Sequence, residues 1–310
     1  MSDKKVEIVY PSYTKKAVTF TIDDGNVAMD VKLLSILRPV GIRGTFNLCS
    51  ERLNPYSPDF FRELYRGYEI ANHCKYHPLA SHDGCEYKIA DEPFNEATAD
   101  PACIYPVPDS NVLYYVIRPN GWRIMTFTEN YIRFVEDGLS ELRAVFGDDA
   151  VKDYVWPFCE QDNEAIKARI RELHRSCRKT GCTLDTTGFA IPADKYAWSY
   201  NANHQNLLEV MAEYEAYADD GELKFFAFGV HSIDFERDGK WGDLEEFAAK
   251  YGNRPKDYWY ATVGEVFDYE AAVSMLRITD DDIYNPSAIP VYVKINGEGR
   301  VISPLGVCNY

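Results

Sequence analysis

The sequence predicts an α/β fold: a parallel sheet or barrel of alternating β-strands and α-helices, followed by a small β appendage. The chain has 310 residues, 46% hydrophobic and 26% charged, which is an ordinary globular composition for one large or two modest domains. Apolar strand-like runs alternate with helix-like segments over about 270 residues, which is typical of a parallel sheet or barrel. The last segment, Leu276–Tyr310, instead shows the pattern of short β-strands.

Short apolar runs predict the strands. Val6–Tyr10 and Ala17–Ile22 come first and could form a hairpin. The strands predicted after them are Arg43–Leu48, Tyr68–Asn72, Tyr154–Phe158, Cys182–Thr186 and Leu223–His231. In folds of this kind the chemistry is located at the carboxyl ends of the strands, so the residues that follow these runs are the candidates for a functional site.

The clearest predicted helix spans Glu129–Phe146, because apolar residues recur along one face and Gly147 supplies a C-cap. That apolar face consists of Ile132, Val135, Leu139, Leu142 and Val145. The other predicted helices are Asp30–Leu37, Pro58–Tyr65, Glu164–Cys177, Gln205–Tyr217, Leu244–Tyr251 and Val263–Ala272. Together with the strands they give repeated βα units.

Two segments do not follow this alternation of strands and helices. Residues 82–128 are rich in Pro, Asp and Tyr without a sustained period, so we predict an irregular insertion that serves as a lid or as a capping subdomain with its own small core. Residues 291–295 alternate between apolar and polar side chains, and Asn296-Gly297 signals a turn. The sequence therefore predicts a catalytic domain, 1–272, and a β appendage, 273–310.

Composition excludes several classes of partner. The formal net charge of −16 argues against nucleic acid and anionic membranes. No apolar stretch approaches the roughly 18–20 residues of a membrane span, and the N-terminus lacks the apolar core of a secretory signal. We therefore expect a cytoplasmic protein whose eight cysteines are free thiols, since no C-x-x-C pair is present. Its oligomeric state is not indicated.

Two adjacent carboxylates end the second predicted strand, in Thr21-Ile22-Asp23-Asp24-Gly25. Because side chains alternate along a strand, Asp23 and Asp24 point in different directions. One could bind a metal while the other stays free as a base. The alternative is a solvated turn.

Histidines follow two other predicted strands. His73 and His77 stand four residues apart and could share a metal ion, since on one helical turn they would lie on the same face. His231 ends an apolar strand, a suitable position for a general acid or base. Each could also be a structural histidine. Together, a carboxylate and two imidazoles suit zinc or a similar ion, and a free Asp and a third His supply the base and acid of metal-assisted hydrolysis.

These motifs resemble those of the polysaccharide deacetylase family, also called the NodB-homology family. Its T-F-D-D-G motif is similar to Thr21-Ile22-Asp23-Asp24-Gly25, and its H-[ST]-x-x-H motif, often followed by Pro, is similar to His73-Cys74-Lys75-Tyr76-His77-Pro78. The segment Gly44-Thr45-Phe46-Asn47 also looks like the family's second strand. The resemblance covers residues 15–270 outside the insertion and implies a NodB-like, distorted (β/α)7-type barrel.

The resemblance implies a role for each residue of these motifs. Asp23 would be the general base that activates water. Asp24, His73 and His77 would hold a divalent transition metal, for which Zn²⁺ is the expected ion. His231 would be the general acid that protonates the leaving amine.

The resemblance extends to two weaker motifs. The family's R-P-P-[FY]-G is similar to Val155-Trp156-Pro157-Phe158-Cys159, so that the backbone N–H of Phe158 would stabilise the oxyanion. Asp194 would match the acidic residue that tunes the acid histidine, with Asp185 as the competing candidate.

The departures from the family concern the groups that orient these residues. Val155 stands where the family has the arginine that orients the base, and Cys159 and Cys74 replace a glycine and a hydroxyl residue. The late motif reads His231-Ser232-Ile233-Asp234 rather than L-H-x-H.

The sequence therefore predicts a metal-dependent hydrolase of C–N amide bonds that deacetylates an N-acetylated sugar or oligosaccharide. Two alternatives stay open: a metal-independent hydrolase of small cyclic amides or formamides on the same fold, and a non-catalytic carbohydrate-binding protein. His82 and His204 could approach the site, whereas His174 is expected on a helix surface. Aromatic residues of the insertion, such as Tyr115 and Trp122, could stack on sugars or form its core.

Overall fold

The apolar runs of the sequence form a central sheet of parallel strands that curls into a half-barrel, which confirms the predicted fold class. The computed structural model describes residues 5–54, 56–159, 162–179 and 188–310. In chain order the strands are β1 (Val6–Val9), β2 (Lys16–Asp24), β3 (Gly44–Leu48), β4 (Glu69–Asn72), β5 (Leu79–Ala80), β6 (Lys88–Ile89), β7 (Cys103–Pro106), β8 (Tyr114–Arg118), β9 (Gly121–Thr126), β10 (Val151–Val155), β11 (Ser176–Arg178), β12 (Lys224–His231), β13 (Trp259–Tyr260), β14 (Arg277–Ile278), β15 (Asp282–Tyr284), β16 (Val291–Ile295), β17 (Glu298–Ile302) and β18 (Val307–Asn309). The helices are α1 (Val27–Leu37), α2 (Pro58–Leu64), α3 (Thr128–Phe146), α4 (Glu164–Leu173), α5 (Leu207–Ala216), α6 (Ser232–Arg237), α7 (Trp241–Tyr251) and α8 (Val263–Ser274).

The central sheet has the strand order β11-β10-β4-β3-β2-β12, and β13 pairs with the first half of β2. Strands β2 and β12 are buried along almost their whole length, as expected for strands covered on both faces. The register places His231 beside Asp23, and Asp23 beside Asn47. Because all these strands run in parallel, their carboxyl ends meet at one edge, and the candidate residues meet there with them.

A short segment spans the open side of the half-barrel. Trp198 forms a parallel bridge with Arg178 of β11, and Ala202 forms one with Phe228 of β12. The strand predicted at Cys182–Thr186 lies outside the described residues.

Two predicted boundaries are wrong in the same region. The predicted strand Tyr154–Phe158 ends earlier, as β10, and the predicted helix Glu164–Cys177 stops at Leu173. His174 already has an extended backbone, and Cys177 pairs in parallel with Tyr154. The apolar residues at helical spacing thus continue into a buried strand. Periodicity alone cannot distinguish a short buried strand from a buried helical segment.

The N-terminal hairpin is also wrong. Strand β1 pairs antiparallel with β16 of the C-terminal region, in a three-stranded sheet β1-β16-β17, whereas β2 enters the central sheet. A second small sheet has the order β14-β15-β18. Val291 and Val293 pack with Tyr10, Phe225 and Val266, so the β appendage is joined to the barrel by an apolar core.

The insertion is more regular than predicted. It contains most of a five-stranded sheet with the order β5-β9-β8-β7-β6. The turn residues Pro119-Asn120-Gly121 join β8 to β9 in an antiparallel hairpin, a signal that the sequence carried. Ile104, Val116 and Met125 form a small core of its own, as in the capping-subdomain alternative. Within the described residues, no helix is long and apolar enough to cross a membrane.

Candidate metal and catalytic site

Asp24, His73 and His77 meet at the carboxyl edge of the central sheet. The Asp24 Oδ1 atom lies 3.5 Å from His73 Nε2 and 3.5 Å from His77 Nε2. One potential ligand atom of each residue lies within 4.8 Å of the others. The three residues are thus spaced so that they could share one ion.

The loop after β4, not a helical turn, brings the two histidines together. Cys74 and His77 both have positive φ, and the Cys74 N–H donates to the Asn72 side chain at 3.0 Å. The imidazole centroids are 4.7 Å apart. Asp24 also has positive φ, so strained backbone occurs at both ligand-bearing segments.

The chemistry of these donors fits a divalent cation. His73 Nδ1 lies 2.9 Å from the Val155 carbonyl oxygen. In the tautomer with its proton on Nδ1, His73 donates to this oxygen, and Nε2 has a lone pair that can bind a metal. Asp24 Oδ1 and His73 Nε2 are buried and have no hydrogen-bond partner among the described residues. Burial, reinforced by His73, lowers the pKa of His77 to about 3, so its ring is neutral and can ligate. Although burial opposes it, the two histidines hold the pKa of Asp24 well below its usual range.

Asp23 is held by side chains of two other strands, β3 and β11. Its Oδ1 accepts a hydrogen bond from Asn47 Nδ2 at 2.7 Å and another from the guanidinium of Arg178. Burial raises its pKa, but Arg178 and the nearby imidazoles outweigh this and hold the pKa below its ordinary value. Asp23 is therefore an ionised carboxylate with Oδ2 free of these bonds.

Arg178 stands in for the arginine that the sequence lacks at Val155. The two residues are directly paired in the β10–β11 register, so their side chains project from the same level of the sheet. Arg178 is fully buried, and its guanidinium lies 5.4 Å from the centre of the Tyr200 ring. Motif comparison missed Arg178 because it lies on β11, outside the segment that resembles the motif.

His231 ends β12, and its partner is Asp234. His231 Nδ1 lies 3.0 Å from Asp234 Oδ2, which also accepts from the His231 backbone N–H at 3.4 Å. Burial disfavours the charged ring, but Asp234, Asp23 and Asp24 together raise the pKa of His231 to about 9. A cation bound by Asp24 would offset part of this rise in the pKa of His231.

The structure does not place Asp194 against His231. Asp194 is exposed, and its carboxylate accepts from the backbone N–H of Tyr196 at 2.8 Å. Asp185 lies outside the described residues. The signal for Asp234 was its place three residues after His231 at a helix start, where a carboxylate caps the backbone.

Phe158 follows β10 in a short turn with φ of 55°, a conformation that is rare for a residue with a side chain. Its ring lies 4.4 Å from that of His77, edge to face. On the other side it packs against Leu79 and Met125 of the small sheet. Phe158 therefore forms one wall of the site, and the small sheet packs behind it.

The cleft at this edge has a volume of about 300 Å³. Tyr200, Asn203 and His204 line it opposite the ligands. His82 instead lies in the insertion, with Nδ1 3.4 Å from Asp162. The expectation that His174 is at the surface is wrong, because it is buried with Nε2 3.2 Å from the Asn72 amide.

Comparison with known proteins supports the family resemblance. Residues 11–99, which contain both ligand segments, match the polysaccharide deacetylase family. No curated protein sequence matches the chain significantly. A protein assigned as a polysaccharide deacetylase from Mycobacterium smegmatis has a similar structure, with a TM-score of 0.53 and 16% identity over 88% of this chain and 96% of that one.

Two further solved structures show weaker similarity. The CE4 domain of a xylanase from the hindgut metagenome of Trinervitermes trinervoides has a TM-score of 0.47 and 16% identity, over 84% of this chain and 93% of that one. The peptidoglycan deacetylase PdaC from Bacillus subtilis has a TM-score of 0.46 and 13% identity, over 84% and 94%. The family match over residues 11–99 confirms the resemblance in the segment that carries both ligand motifs, and the mycobacterial protein shares the fold.

Proposed function

We propose that the protein is a metal-dependent hydrolase that removes the acetyl group from an N-acetylated sugar or oligosaccharide. The observation that carries this proposal is the meeting of three groups in one cleft: the Asp24, His73 and His77 set, the separate carboxylate of Asp23, and the imidazole of His231. A hydrolase of amides needs an electrophile for the carbonyl, a base for water and an acid for the amine.

Asp24, His73 and His77 would hold the metal, and we propose Zn²⁺. One carboxylate and two neutral imidazoles form a ligand set that zinc hydrolases use, and they leave coordination positions open. When bound, such an ion supplies polarisation of the acetyl carbonyl and of a water molecule.

The remaining chemistry belongs to side chains and backbone of this chain. Asp23 accepts a proton from the attacking water at its free Oδ2, while Asn47 and Arg178 keep Oδ1 in place. The Phe158 N–H donates to the oxyanion that forms on the carbonyl oxygen. His231 then gives a proton to the nitrogen as the C–N bond breaks, with Asp234 holding its Nδ1 side.

The carbohydrate assignment rests on the family match and on the cleft. The similar structures include a xylanase domain and a peptidoglycan deacetylase, both named for sugar polymers. The cavity of about 300 Å³ is at the small end of ligand pockets and suits one sugar ring with its acetamido group. Aromatic walls, Phe158 and Tyr200, offer stacking surfaces on either side.

The test is acetate release from N-acetylated monosaccharides and chito-oligosaccharides by the purified protein, before and after chelation and after zinc is returned. We expect release that is lost on chelation and restored by the metal. Release that persists unchanged in the chelated, metal-free protein would contradict the proposal, as would the absence of release from every N-acetyl substrate with metal bound.

A further inference from the structure

The segment 199–206 forms the wall of the cleft opposite the ligands, and β12 fixes its position. The Gly229 N–H donates to the Ala202 carbonyl at 2.9 Å. The ring of Tyr200 packs so closely on Gly229 that no Cβ would fit there. These contacts explain a glycine inside a buried strand and hold His204 beside the end of β12.

His204 lies between two carboxylates. Its Nε2 is 2.6 Å from Asp238 Oδ2, and its Nδ1 is 3.8 Å from Asp234 Oδ2. The side chain is only 8% exposed, and Nδ1 has no hydrogen-bond partner among the residues that the structure describes. The oxygen that Nδ1 faces is the same one that lies 3.0 Å from His231 Nδ1.

Arg237 binds the same two carboxylates from the solvent side. Its Nη1 lies 2.8 Å from Asp234 Oδ1, and its Nε donates to Asp238 Oδ1 at 2.9 Å. Asp234 is therefore contacted by His231 and Arg237 and faced by His204, which also lines the cleft. Asp238 contacts both His204 and Arg237 and links them.

We infer that His204, anchored by Asp238, is a positioning residue for the His231 general acid and acts through Asp234. This rests on the proposed amide hydrolysis. When both ring nitrogens of His204 carry protons, it donates to Asp238 and faces Asp234 with its second N–H. Shortening of that contact to about 3.0 Å gives an ordinary N–H···O bond, and catalytic hydrogen bonds that are long in the free enzyme tighten in the complex with substrate.

The consequence is specific to the step that needs an acid. Asp234 can hold the Nδ1–H of His231 only if its carboxylate does not rotate toward Arg237 or solvent. The anchored ring of His204 limits that rotation, so Nε2 of His231 stays directed at the leaving nitrogen. A leaving group that departs without a proton does not need this control.

The test compares two acetyl substrates that differ in the leaving group. An N-acetylated chito-oligosaccharide expels an amine, which must be protonated, whereas p-nitrophenyl acetate expels a stable phenolate. For His204→Asn we expect kcat on the amide to fall about 10-fold with little change in KM, and activity on the ester to stay within about twofold. Asp238→Asn should act in the same direction, and the double variant should lose little more than His204→Asn.

The matched control is His82→Asn in the insertion, which should leave the ratio of amide to ester activity unchanged. Equal losses on both substrates in His204→Asn would overturn the inference, because they would indicate a general structural role. Nitrogen-15 NMR of the histidine side chains gives a readout that does not need turnover. Recorded above the His231 pKa of about 9, where its ring is neutral, the spectrum of His204→Asn should show a lower fraction of His231 with its proton on Nδ1. An unchanged spectrum at that pH would also overturn the inference. If the wild type hydrolyses no amide, the proposed function fails, and the NMR result alone decides the position of His231.

Discussion

The two halves of the site differ in how their residues are held. In the ligand and base half, Asp23 and Asp24 end β2, and His73 and His77 follow β4. Positive φ shapes both ligand segments, buried side chains hold Asp23, and His73 is only 1% exposed. In the acid half, the ring of His231 is 42% exposed and depends on side chains of the following helix. The groups expected to touch the reacting atoms lie in the segments that resemble the family motifs, whereas Arg178 and Asp234, which contact them, lie on β11 and α6.

The largest effect is expected from the base. Asp23→Asn removes the proton acceptor while leaving the neighbouring ligands in place, so turnover should fall by about 10³–10⁴-fold. The bound metal should be retained, which elemental analysis would show. Full activity in this variant would mean that another group is the base.

Substitution of Arg178, the buried ion-pair partner of Asp23, should give the next largest effect. Arg178→Met leaves the buried Asp23 carboxylate without its ion-pair partner, which should cost about 3–5 kcal/mol of unfolding free energy. It should also lower kcat about 100-fold with the metal retained. Chemical denaturation and steady-state kinetics measure the two effects, and Arg178→Lys, which keeps the charge, should recover part of both. Wild-type kcat in Arg178→Met would contradict the assignment.

The pH dependence of kcat tests the acid half of the site. The pKa of His231 is raised to about 9, so the protonated acid is present below that pH and is lost above it. Asp234→Asn removes a charge that raises this pKa, so the alkaline limb of kcat should move to lower pH by about one unit. Asp194→Asn is the matched control, since Asp194 is exposed and bonded elsewhere. If the alkaline limb of kcat did not move in Asp234→Asn, or moved in Asp194→Asn, Asp234 would not be the carboxylate that raises the pKa of His231.

The smallest effect is expected in the insertion. Trp122 packs with Phe94 and Tyr115 on one face of the small sheet, whereas its neighbour Arg123 lies over the Phe158 ring on the other face, 5.6 Å from its centre. Trp122→Ala should therefore change kcat and KM on short oligosaccharides by no more than about twofold. A loss as large as that of Arg178→Met would show that the outer face binds substrate.

The sequence predicted the parallel sheet and the meeting of Asp24, His73 and His77, because these residues follow strands directly and strand ends converge in space. It also predicted the face of α3 correctly, where Val135, Leu139 and Leu142 are buried. These are local patterns, in which spacing along the chain determines position.

The groups that sequence reasoning missed depend on contacts between distant segments. Arg178 of β11 contacts Asp23 of β2 although β10, β4 and β3 separate these two strands in the sheet, and β1 pairs with β16 across almost the full length of the chain. Asp234 lies in the first turn of α6, a short helix that the sequence analysis did not predict, and was therefore not identified as a partner of His231. The strands of the insertion are two to six residues long, too short for periodicity to separate them from irregular loops.

The central claim is that Asp24, His73 and His77 hold a metal that the activity needs. The most direct measurement is elemental analysis of the purified wild type beside His73→Ala, with His82→Ala as the control, each also assayed for acetate release. We expect about one equivalent of zinc or another first-row transition metal in the wild type and the control, and loss of both metal and activity in His73→Ala. Absence of metal from the wild type even after reconstitution, or equal metal content in His73→Ala, would contradict the claim.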